Sequence, residues 1–396
     1  MAELLKRWWV QVLLVFIASR IVSTAIILIY ASNQIANPWT DAHPGYFAYS
    51  GMWDSLWYLR IVIEGYPAEL PLDAQGHVFE NTWAFMPAYP YLVAALSWTF
   101  AVPFQIMAVI VSLLCTAGVA FVFYRIFITW LPHWSALGGV ALMLFDPVSP
   151  ILQLGYAESM HLLLLGICLL LLLQRRYFLM LPFVVVMSFT RPSGLAFALA
   201  MAGHVAVRWW QHRKRAEPFP RIQVIGALVV GAVSAIAGLA WPAIAAIVTG
   251  RLDAYTATEF YWRLGYVGDT PFVPFAPWVQ GASWWAMWNG IPEWVGVIVL
   301  LILIALAAAA MFSPWMRRLG VDLRLWVGAW LIYLLAVFFP QSSTLRLLLP
   351  ASPALAALAV PKSRWIVPVA LALGVVGQWF WFGSNWAWVP GDWTPP

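Results

Sequence analysis

The sequence predicts an all-helical protein that crosses a membrane many times. Its 396 residues are 63% hydrophobic and only 9% charged, and the mean hydropathy is +0.82. A soluble domain carries roughly 25% charged residues, so most of this chain is too apolar to face water. Several apolar stretches are about twenty residues long, which is the length of a helix that crosses a bilayer. With no tandem repeat or linker visible, we expect one membrane domain over residues 1–396.

The positions of the basic residues predict the orientation of the chain. Lys6 and Arg7 precede the first apolar stretch, which places the N-terminus in the cytoplasm by the positive-inside rule. Alternating crossings then put 15 of the 21 lysines and arginines on the cytoplasmic side, with only three of the 16 carboxylates. The six cations left over are all arginines, and the outer side is predicted to be acidic and aromatic. The net charge of +5 therefore indicates topology rather than nucleic-acid binding.

The crossings can be assigned in chain order. Residues 87–101 are short and contain two prolines, and residues 104–127 already make the inward crossing, so we interpret 87–101 as a re-entrant or interfacial helix on the outer face. Residues 177–207 have basic flanks on both sides and predict a helical hairpin that turns at 190–194. About eleven crossings result, with the C-terminus outside: 8–30, 104–127, 134–145, 153–173, two within 177–207, 222–249, 292–312, 325–339, 345–360 and 365–382.

Two outer segments follow from this topology, residues 31–103 and residues 250–291. Four charged residues are predicted to gather at the outer ends of the spans, namely Asp54, Glu158, Arg191 and Arg346. One such residue alone is usually a helix cap or half of a buried ion pair. Four on one face indicate a site, since ionisable residues within a membrane domain are functional candidates.

These residue types suit the transfer of a group from a lipid phosphate. A carboxylate such as Asp54 can deprotonate an acceptor hydroxyl, and arginines can hold a phosphate leaving group as negative charge builds on it. Tryptophan and tyrosine rings suit a sugar face and the first isoprene units. No phosphate-binding loop and no glycine-rich dinucleotide motif is visible, so we do not expect a sugar nucleotide or ATP as the direct donor.

Several polar residues leave alternatives open. Arg20 lies in the first span, where it either snorkels to the interface or faces a cavity with an anionic partner. Asp146 either caps a span or belongs to the site. The first outer segment also holds acidic and histidine residues whose spacing matches no zinc motif, so no metal or other cofactor is assigned and dependence on a divalent ion stays open: Asp41, His43, Asp73, His77 and Glu80.

Two motifs in the first outer segment resemble those of the PIG-V-type mannosyltransferases. WDSLWYLRIVIEGY at residues 53–66 and ENTWAFMPAYP at residues 80–90 follow that family's first-loop pattern. Shorter matches are SR at 19–20, YAES at 156–159, TRPSG at 190–194 and LRLLLP at 345–350. The resemblance implies a GT-C glycosyltransferase that takes mannose from polyprenyl-phosphate mannose on the non-cytoplasmic side of the membrane.

The resemblance also implies roles for individual residues. Asp54 would be the catalytic base of an inverting transfer, and Arg346, Arg191 and Arg20 would bind the donor phosphate. The compact loops suggest a prokaryotic plasma-membrane member, whose acceptor would be a lipid-linked or surface glycan. Contacts to the sugar and the acceptor are expected from the aromatic and acidic residues of the motifs: Trp53, Trp57, Tyr58, Glu80, Phe85 and Glu158.

Two other functions remain as alternatives at this stage. A lipid or sugar-lipid transporter or flippase would have charges paired near the bilayer midplane and related half-repeats. A non-catalytic subunit of a mannosyltransferase complex would share the fold without needing the Asp54 carboxylate.

Overall fold

The computed structural model describes residues 2–391 and 395–396. The chain is 72% helical, and no β-strand occurs among the residues described. An isolated β-bridge joins Leu72 to Val78. The predicted all-helical class is confirmed. Helices are the expected solution for so apolar a chain, because every backbone N–H and C=O then finds its partner within the same segment.

Eighteen α-helices follow one another in the described residues, with short segments of tighter or wider helix between some of them. The 3₁₀ segments are Thr82–Ala84, Ser149–Gln153 and Leu349–Ala359, and a π-helical turn covers Phe382–Trp386. The α-helices are α1 (Ala2–Leu5), α2 (Trp8–Asn33), α3 (Tyr46–Tyr49), α4 (Asp54–Glu64), α5 (Ala88–Phe100), α6 (Phe104–Phe127), α7 (His133–Leu144), α8 (Glu158–Leu173), α9 (Tyr177–Ser188), α10 (Gly194–Arg213), α11 (Arg221–Thr249), α12 (Ala254–Val267), α13 (Ala276–Trp288), α14 (Glu293–Met311), α15 (Pro314–Arg317), α16 (Val321–Val337), α17 (Thr344–Leu347) and α18 (Ile366–Trp381).

Five of the described helices are long and apolar enough to cross a membrane. They are α2, α6, α11, α14 and the unit Ile366–Trp386 formed by α18 and its π-helical turn. Helices α7, α8 and α9 and the segment Leu349–Ala359 are apolar but shorter. These lengths and compositions are those of a membrane protein. The count of eleven crossings and their orientation stay predictions.

Helix α14 illustrates the apolar exterior. Leu300 is the only buried residue among the 19 of this helix. The helix packs mainly against α13, where Gly296 allows its backbone to approach the Ala282 carbonyl closely. A helix that is apolar on all sides and exposed on most of them suits lipid rather than water.

Helix α5 agrees with the prediction of a short helix between the first outer segment and α6. Its 13 residues span about 20 Å, which is less than the roughly 30 Å thickness of a hydrocarbon core. It ends at Phe100, and the next residue, Ala101, has a φ of 53°. Helix α5 packs on α6, where the Tyr89 hydroxyl donates to the Ala108 carbonyl over 3.1 Å.

Helix α8 separates two charged clusters by its length of about 24 Å. Its first residue, Glu158, belongs to the cavity described below. Beyond its other end, Arg175 lies 3.1 Å from Asp322 of α16, which is also 2.6 Å from His204 of α10. The residues predicted for the outer face and those predicted for the cytoplasmic face therefore lie at opposite ends of one helix.

The crossing of α10 and α11 generates the first testable prediction. A Cβ added at Gly238 of α11 would lie 2.7 Å from the Leu195 backbone nitrogen, whereas one added at Gly231 would lie 3.5 Å from the Met201 Cβ. We expect Gly238→Ala to lower the unfolding temperature in detergent, because overpacking costs about 1–3 kcal/mol. Gly231→Ala on the same helix is the matched control and should be neutral or stabilising. Equal unfolding temperatures for the two variants would contradict the close crossing.

Candidate active site

A cavity of about 810 Å³ opens in the structure where the two outer segments meet the helices. Residues of α4, α8, α11, α12, α16 and α17 line it, together with the turn between α9 and α10. Its volume falls in the range of about 300–1,000 Å³ that is typical of small-molecule sites. The lining is mostly apolar, so its few charged groups are conspicuous.

Asp54 is held in place by an unusual backbone conformation. It is the first residue of α4, and the preceding Trp53 has a φ of +57°, which a residue with a Cβ seldom adopts. The Trp53 indole donates to the Trp386 carbonyl over 3.0 Å, and its ring lies 4.3 Å from that of Trp39. The Asp54 N–H donates to the Tyr156 hydroxyl over 3.0 Å. The Asp54 carboxylate thus sits at a helix N-terminus, where the helix dipole favours negative charge.

Asp54, Glu158, Arg191 and Arg346 form one cluster, here called the ion cluster. Arg346 Nη1 lies 2.5 Å from Asp54 Oδ2 and 3.4 Å from Glu158 Oε1. Arg191 Nη2 donates to Glu158 Oε1 and lies 3.8 Å from Asp54 Oδ2. Each arginine contacts both carboxylates, so the two positive and two negative charges balance, as largely buried charges must.

The structure therefore brings together the four residues that the sequence predicted to gather. They come from α4, from the start of α8, from the turn between α9 and α10, and from α17. Up to 292 positions of sequence separate Asp54 from its partner Arg346. The helical hairpin matters here, because its turn carries Arg191 to the same end of the molecule as Glu158.

Tyr156 ties the cluster to the helices beneath it. Its side chain is fully buried, its hydroxyl accepts the Asp54 N–H, and its ring lies 5.5 Å from the Arg346 guanidinium carbon. Its carbonyl accepts from the Ser112 hydroxyl over 3.2 Å. The YAES motif predicted a role for Glu158 only, yet Tyr156 contacts two members of the cluster.

An aromatic wall lines another part of the cavity. The rings of Trp57 and Phe85 stack at 5.5 Å, and the Arg60 guanidinium covers Trp57 at 4.8 Å. Glu80 and Trp53 also line the cavity. Tyr58 is only 2% exposed and packs its ring against the edge of Phe85 at 5.8 Å. It supports the wall from behind and does not reach the cavity.

Arg20 also lies outside the cavity lining. Its guanidinium donates to the Leu144 carbonyl over 3.0 Å and to the Ser149 carbonyl over 3.1 Å, and it bonds the Ser149 hydroxyl over 2.5 Å. Leu144 ends α7, so Arg20 satisfies carbonyl groups that a helix C-terminus leaves open. Arg20 therefore does not snorkel to an interface, and it has no anionic partner among the described residues. Asp146 acts locally as well, since its carboxylate accepts the Val148 N–H over 2.9 Å.

His161 and Glu259 also line the cavity and were not predicted from the sequence. His161 follows Glu158 by about one helical turn. Glu259 lies on α12 in the second outer segment. Burial raises the pKa of Glu259 to about 7, against the opposing effects of a hydrogen bond with Tyr255 and of the charge of Arg191. A signal existed for Glu259, because it stands alone among aromatic residues in TATEFYW, as Asp54 does in its own motif.

Several buried polar atoms at the cavity have no hydrogen-bond partner within the described residues. They are Glu158 Oε2, His161 Nε2 and Arg346 Nε. Buried polar groups are nearly always hydrogen-bonded, and each exception calls for an explanation. Three exceptions around one cavity suit a site that takes a polar ligand.

Metal-binding residues do not cluster in the part of the chain that is described. No three His, Cys, Asp or Glu side chains come together as a ligand set there. His77 lies 3.1 Å from Asp73 and 3.9 Å from Asp269, which joins the two outer segments.

Comparison with known proteins adds no family assignment. A scan against protein-family models found no match, and a search of curated proteins found none either. The fold and the cavity define the class, an apolar helical protein with several helices long and apolar enough to cross a membrane and with a charged pocket among its helices. The resemblance to the PIG-V-type mannosyltransferases rests on the motifs described above.

The raised pKa of Glu259 generates a prediction about stability. Its ordinary value is 4.5 and its folded value is about 7, so between these pH values the folded protein binds more protons and loses stability as pH rises. Glutamine cannot ionise. We expect Glu259→Gln to raise the unfolding temperature at pH 8, by an amount equivalent to at most about 3 kcal/mol, and to change little at pH 4.5. Thermal unfolding at both pH values checks this, and an equal shift at each would contradict it.

Proposed function

We propose that this protein is a membrane mannosyltransferase of the GT-C type, related to the PIG-V-type enzymes. It moves mannose from polyprenyl-phosphate mannose to a lipid-linked or surface glycan on the extracytoplasmic side, with inversion at the anomeric carbon. The proposal includes about eleven crossings, a cytoplasmic N-terminus and a prokaryotic plasma membrane. The observation that carries it is the ion cluster, in which Arg191 and Arg346 converge on Asp54 in the wall of a mostly apolar cavity.

The two arginines suit a donor phosphate. Arginine offers a planar set of N–H donors that matches phosphate oxygens. When the bond between the anomeric carbon and the phosphate oxygen breaks, negative charge builds on the phosphate, and two adjacent guanidinium groups stabilise it. Arg191 and Arg346 come from separate elements, and each lies within 4 Å of the same Asp54 oxygen, so a small anion could contact both.

Asp54 keeps its assignment as the base, with one refinement. Arg191 and Arg346 both contact Asp54 Oδ2, and these contacts occupy the oxygen that would act as the base. A donor phosphate competes for the same N–H groups. Its arrival weakens their hold on Asp54, which then accepts the proton of the acceptor hydroxyl. The contact of Glu158 with Arg191 supports a role for Glu158 in orienting that arginine.

The remainder of the cavity suits the rest of the donor. The stacked rings of Trp57 and Phe85 offer flat faces for a sugar. Leu162, Leu239 and Leu334, from α8, α11 and α16, offer an apolar surface for the first isoprene units. An apolar lining with a few convergent polar groups is the usual form of a small-molecule site.

A transporter or flippase is less well supported. Its charged residues are expected near the middle of the spans, whereas the ion cluster lies where helices begin or turn. The buried charge in mid-span that could have suited transport, Arg20, is bonded to carbonyl and hydroxyl groups of a neighbouring helix end.

The central prediction concerns Asp54. Asp54→Asn keeps the side-chain size and removes the base, so we expect transfer to fall by about 10²- to 10⁴-fold. The assay incubates purified protein with radiolabelled polyprenyl-phosphate mannose and a panel of glycan acceptors. Asp41→Asn is the matched control, since Asp41 is an exposed residue of the same outer segment, and it should keep full activity. Full activity of Asp54→Asn, with unfolding temperature unchanged, would remove Asp54 from catalysis.

The same assay separates the proposed function from its rivals. Wild-type protein that neither transfers mannose to any acceptor nor hydrolyses the donor would favour the transporter or the non-catalytic subunit.

A further prediction distinguishes Arg346, which we assign to donor binding, from Arg20, which lies outside the cavity. Arg346→Lys keeps the charge but loses the planar donor set, so we expect the donor KM and the inhibition constant of polyprenyl phosphate to rise about tenfold or more. Arg20→Lys is the comparison. It should lower the unfolding temperature, because Leu144 and Ser149 lose hydrogen bonds, and leave the donor KM unchanged. A donor KM that rises equally in both variants would contradict the assignment of Arg346 to donor binding and of Arg20 to a structural role.

A further inference from the structure

The cavity contains a carboxyl group that stands outside the ion cluster. Asp54 and Glu158 both pair with Arg191 and Arg346. Glu259 lines the same cavity, yet it forms no ion pair with a lysine or arginine of the described residues. Its hydrogen-bond partner is the hydroxyl of Tyr255, one helical turn before it on α12. Its oxygens are therefore less fully engaged than those of the cluster.

The titratable groups around Glu259 come from three other elements. Arg191 faces it from the turn between α9 and α10, Asp54 from α4 and the Tyr333 hydroxyl from α16, in addition to Tyr255 on its own helix. The arginine attracts the Glu259 carboxylate, whereas Asp54 repels it. Glu259 thus interacts electrostatically with Arg191 and Asp54 of the ion cluster without pairing with either of them.

Helix α12 is fixed relative to the first outer segment. The Asn81 amide donates to the Thr258 hydroxyl over 2.9 Å, and the ring of Phe79 lies 5.0 Å from that of Tyr261. Asn81 adjoins the 3₁₀ segment that leads to the aromatic wall. The two outer segments therefore place Glu259 in a defined position relative to the Trp57 and Phe85 rings, as a binding site requires.

We propose that Glu259 binds the acceptor, with its carboxylate accepting hydrogen bonds from acceptor hydroxyls next to the one that is glycosylated. This inference rests on the proposed function and assigns recognition of its glycan acceptor to Glu259. An ionised carboxylate has several acceptor positions and no donor, which suits neighbouring hydroxyls of a sugar.

Charge separates the two halves of the cavity. The donor phosphate is an anion, so it is attracted to Arg191 and Arg346 and repelled by an unpaired carboxylate. Glu259 therefore disfavours the phosphate on its side and leaves that side to a neutral, hydroxyl-rich molecule. Three aromatic residues of the second outer segment line the same cavity, namely Phe260, Trp262 and Phe272. Rings beside a carboxylate offer both the flat face and the hydrogen-bond acceptor that a sugar needs.

Protonation of Glu259 adds a pH dependence to acceptor binding. Burial raises its pKa to about 7, so the carboxyl is neutral in part of the molecules at neutral pH. The ionised form accepts more hydrogen bonds than the neutral form. Affinity for the acceptor is therefore expected to increase as pH rises through 7, whereas affinity for the anionic donor is not expected to increase.

The experiment measures donor and acceptor kinetics separately in purified protein. In Glu259→Gln we expect the acceptor KM at pH 8 to rise about tenfold or more, with no rise in the donor KM and no change in the hydrolysis of donor without acceptor. Tyr255→Phe, which removes the hydroxyl that orients Glu259, should show a smaller rise. Glu69→Gln, at an exposed position of the first outer segment, is the charge-matched control and should equal wild type.

Monodeoxy acceptors sharpen the test. The deoxy analogue that lacks the Glu259-bound hydroxyl should bind wild type weakly, and Glu259→Gln should no longer distinguish it from the parent acceptor. Glu259→Asp keeps the charge and serves if the glutamine variant does not fold, with an intermediate KM expected.

Each outcome of this experiment has a defined meaning. An acceptor KM unchanged in Glu259→Gln, or a fall in kcat without a change in acceptor KM, overturns the inference while wild-type transfer leaves the proposed function standing. If the wild-type protein neither transfers mannose nor hydrolyses the donor, the proposed function itself is wrong. A rise in acceptor KM that disappears below pH 6, where wild type is also protonated, supports the inference.

Discussion

The balance of charge among Asp54, Glu158, Arg191 and Arg346 constrains the whole candidate site. An unpaired charge in a weakly polar interior costs several kcal/mol, so α4, the start of α8, the hairpin turn and α17 are each held where their charged residue meets its partners. The contacts are shared rather than pairwise, since each arginine touches both carboxylates. Loss of any one member leaves two others undercompensated, which couples the fold of this end of the molecule to its chemistry.

Ion pairs at both ends of α8 complement this constraint. Helices surrounded by lipid gain little from hydrophobic burial, so packing and polar contacts between helices decide their arrangement. The ion cluster stabilises one end of α8, and the contacts of Asp322 with Arg175 and His204 stabilise the other end. Between them, glycines such as Gly238 allow α10 and α11 to approach closely. The domain thus combines fixed ends with a closely packed apolar middle.

Much of the fold could be predicted from local sequence. Helix α6 begins and ends at the predicted residues, and the turn of the hairpin falls where basic flanks required it. The gathering of Asp54, Glu158, Arg191 and Arg346 could be predicted because charges are rare in this chain. The positions of Arg20 and Tyr58 could not be predicted. Arg20 bonds the end of α7, and Tyr58 lies behind Phe85, so both depend on neighbours that only the tertiary structure supplies.

The shared contacts of Asp54 also bear on the order of events under the proposed function. A carboxylate oxygen that two guanidinium groups already contact is not free to meet an acceptor hydroxyl until an anion competes for those groups. The donor phosphate is such an anion, so the donor would prepare Asp54 for the acceptor, and proton transfer without a donor would be suppressed. Glu259 lies outside the shared contacts and stays available to the acceptor at either stage. One cavity can therefore keep a charged donor and a neutral acceptor apart, because its two kinds of carboxylate differ in whether arginines already hold them.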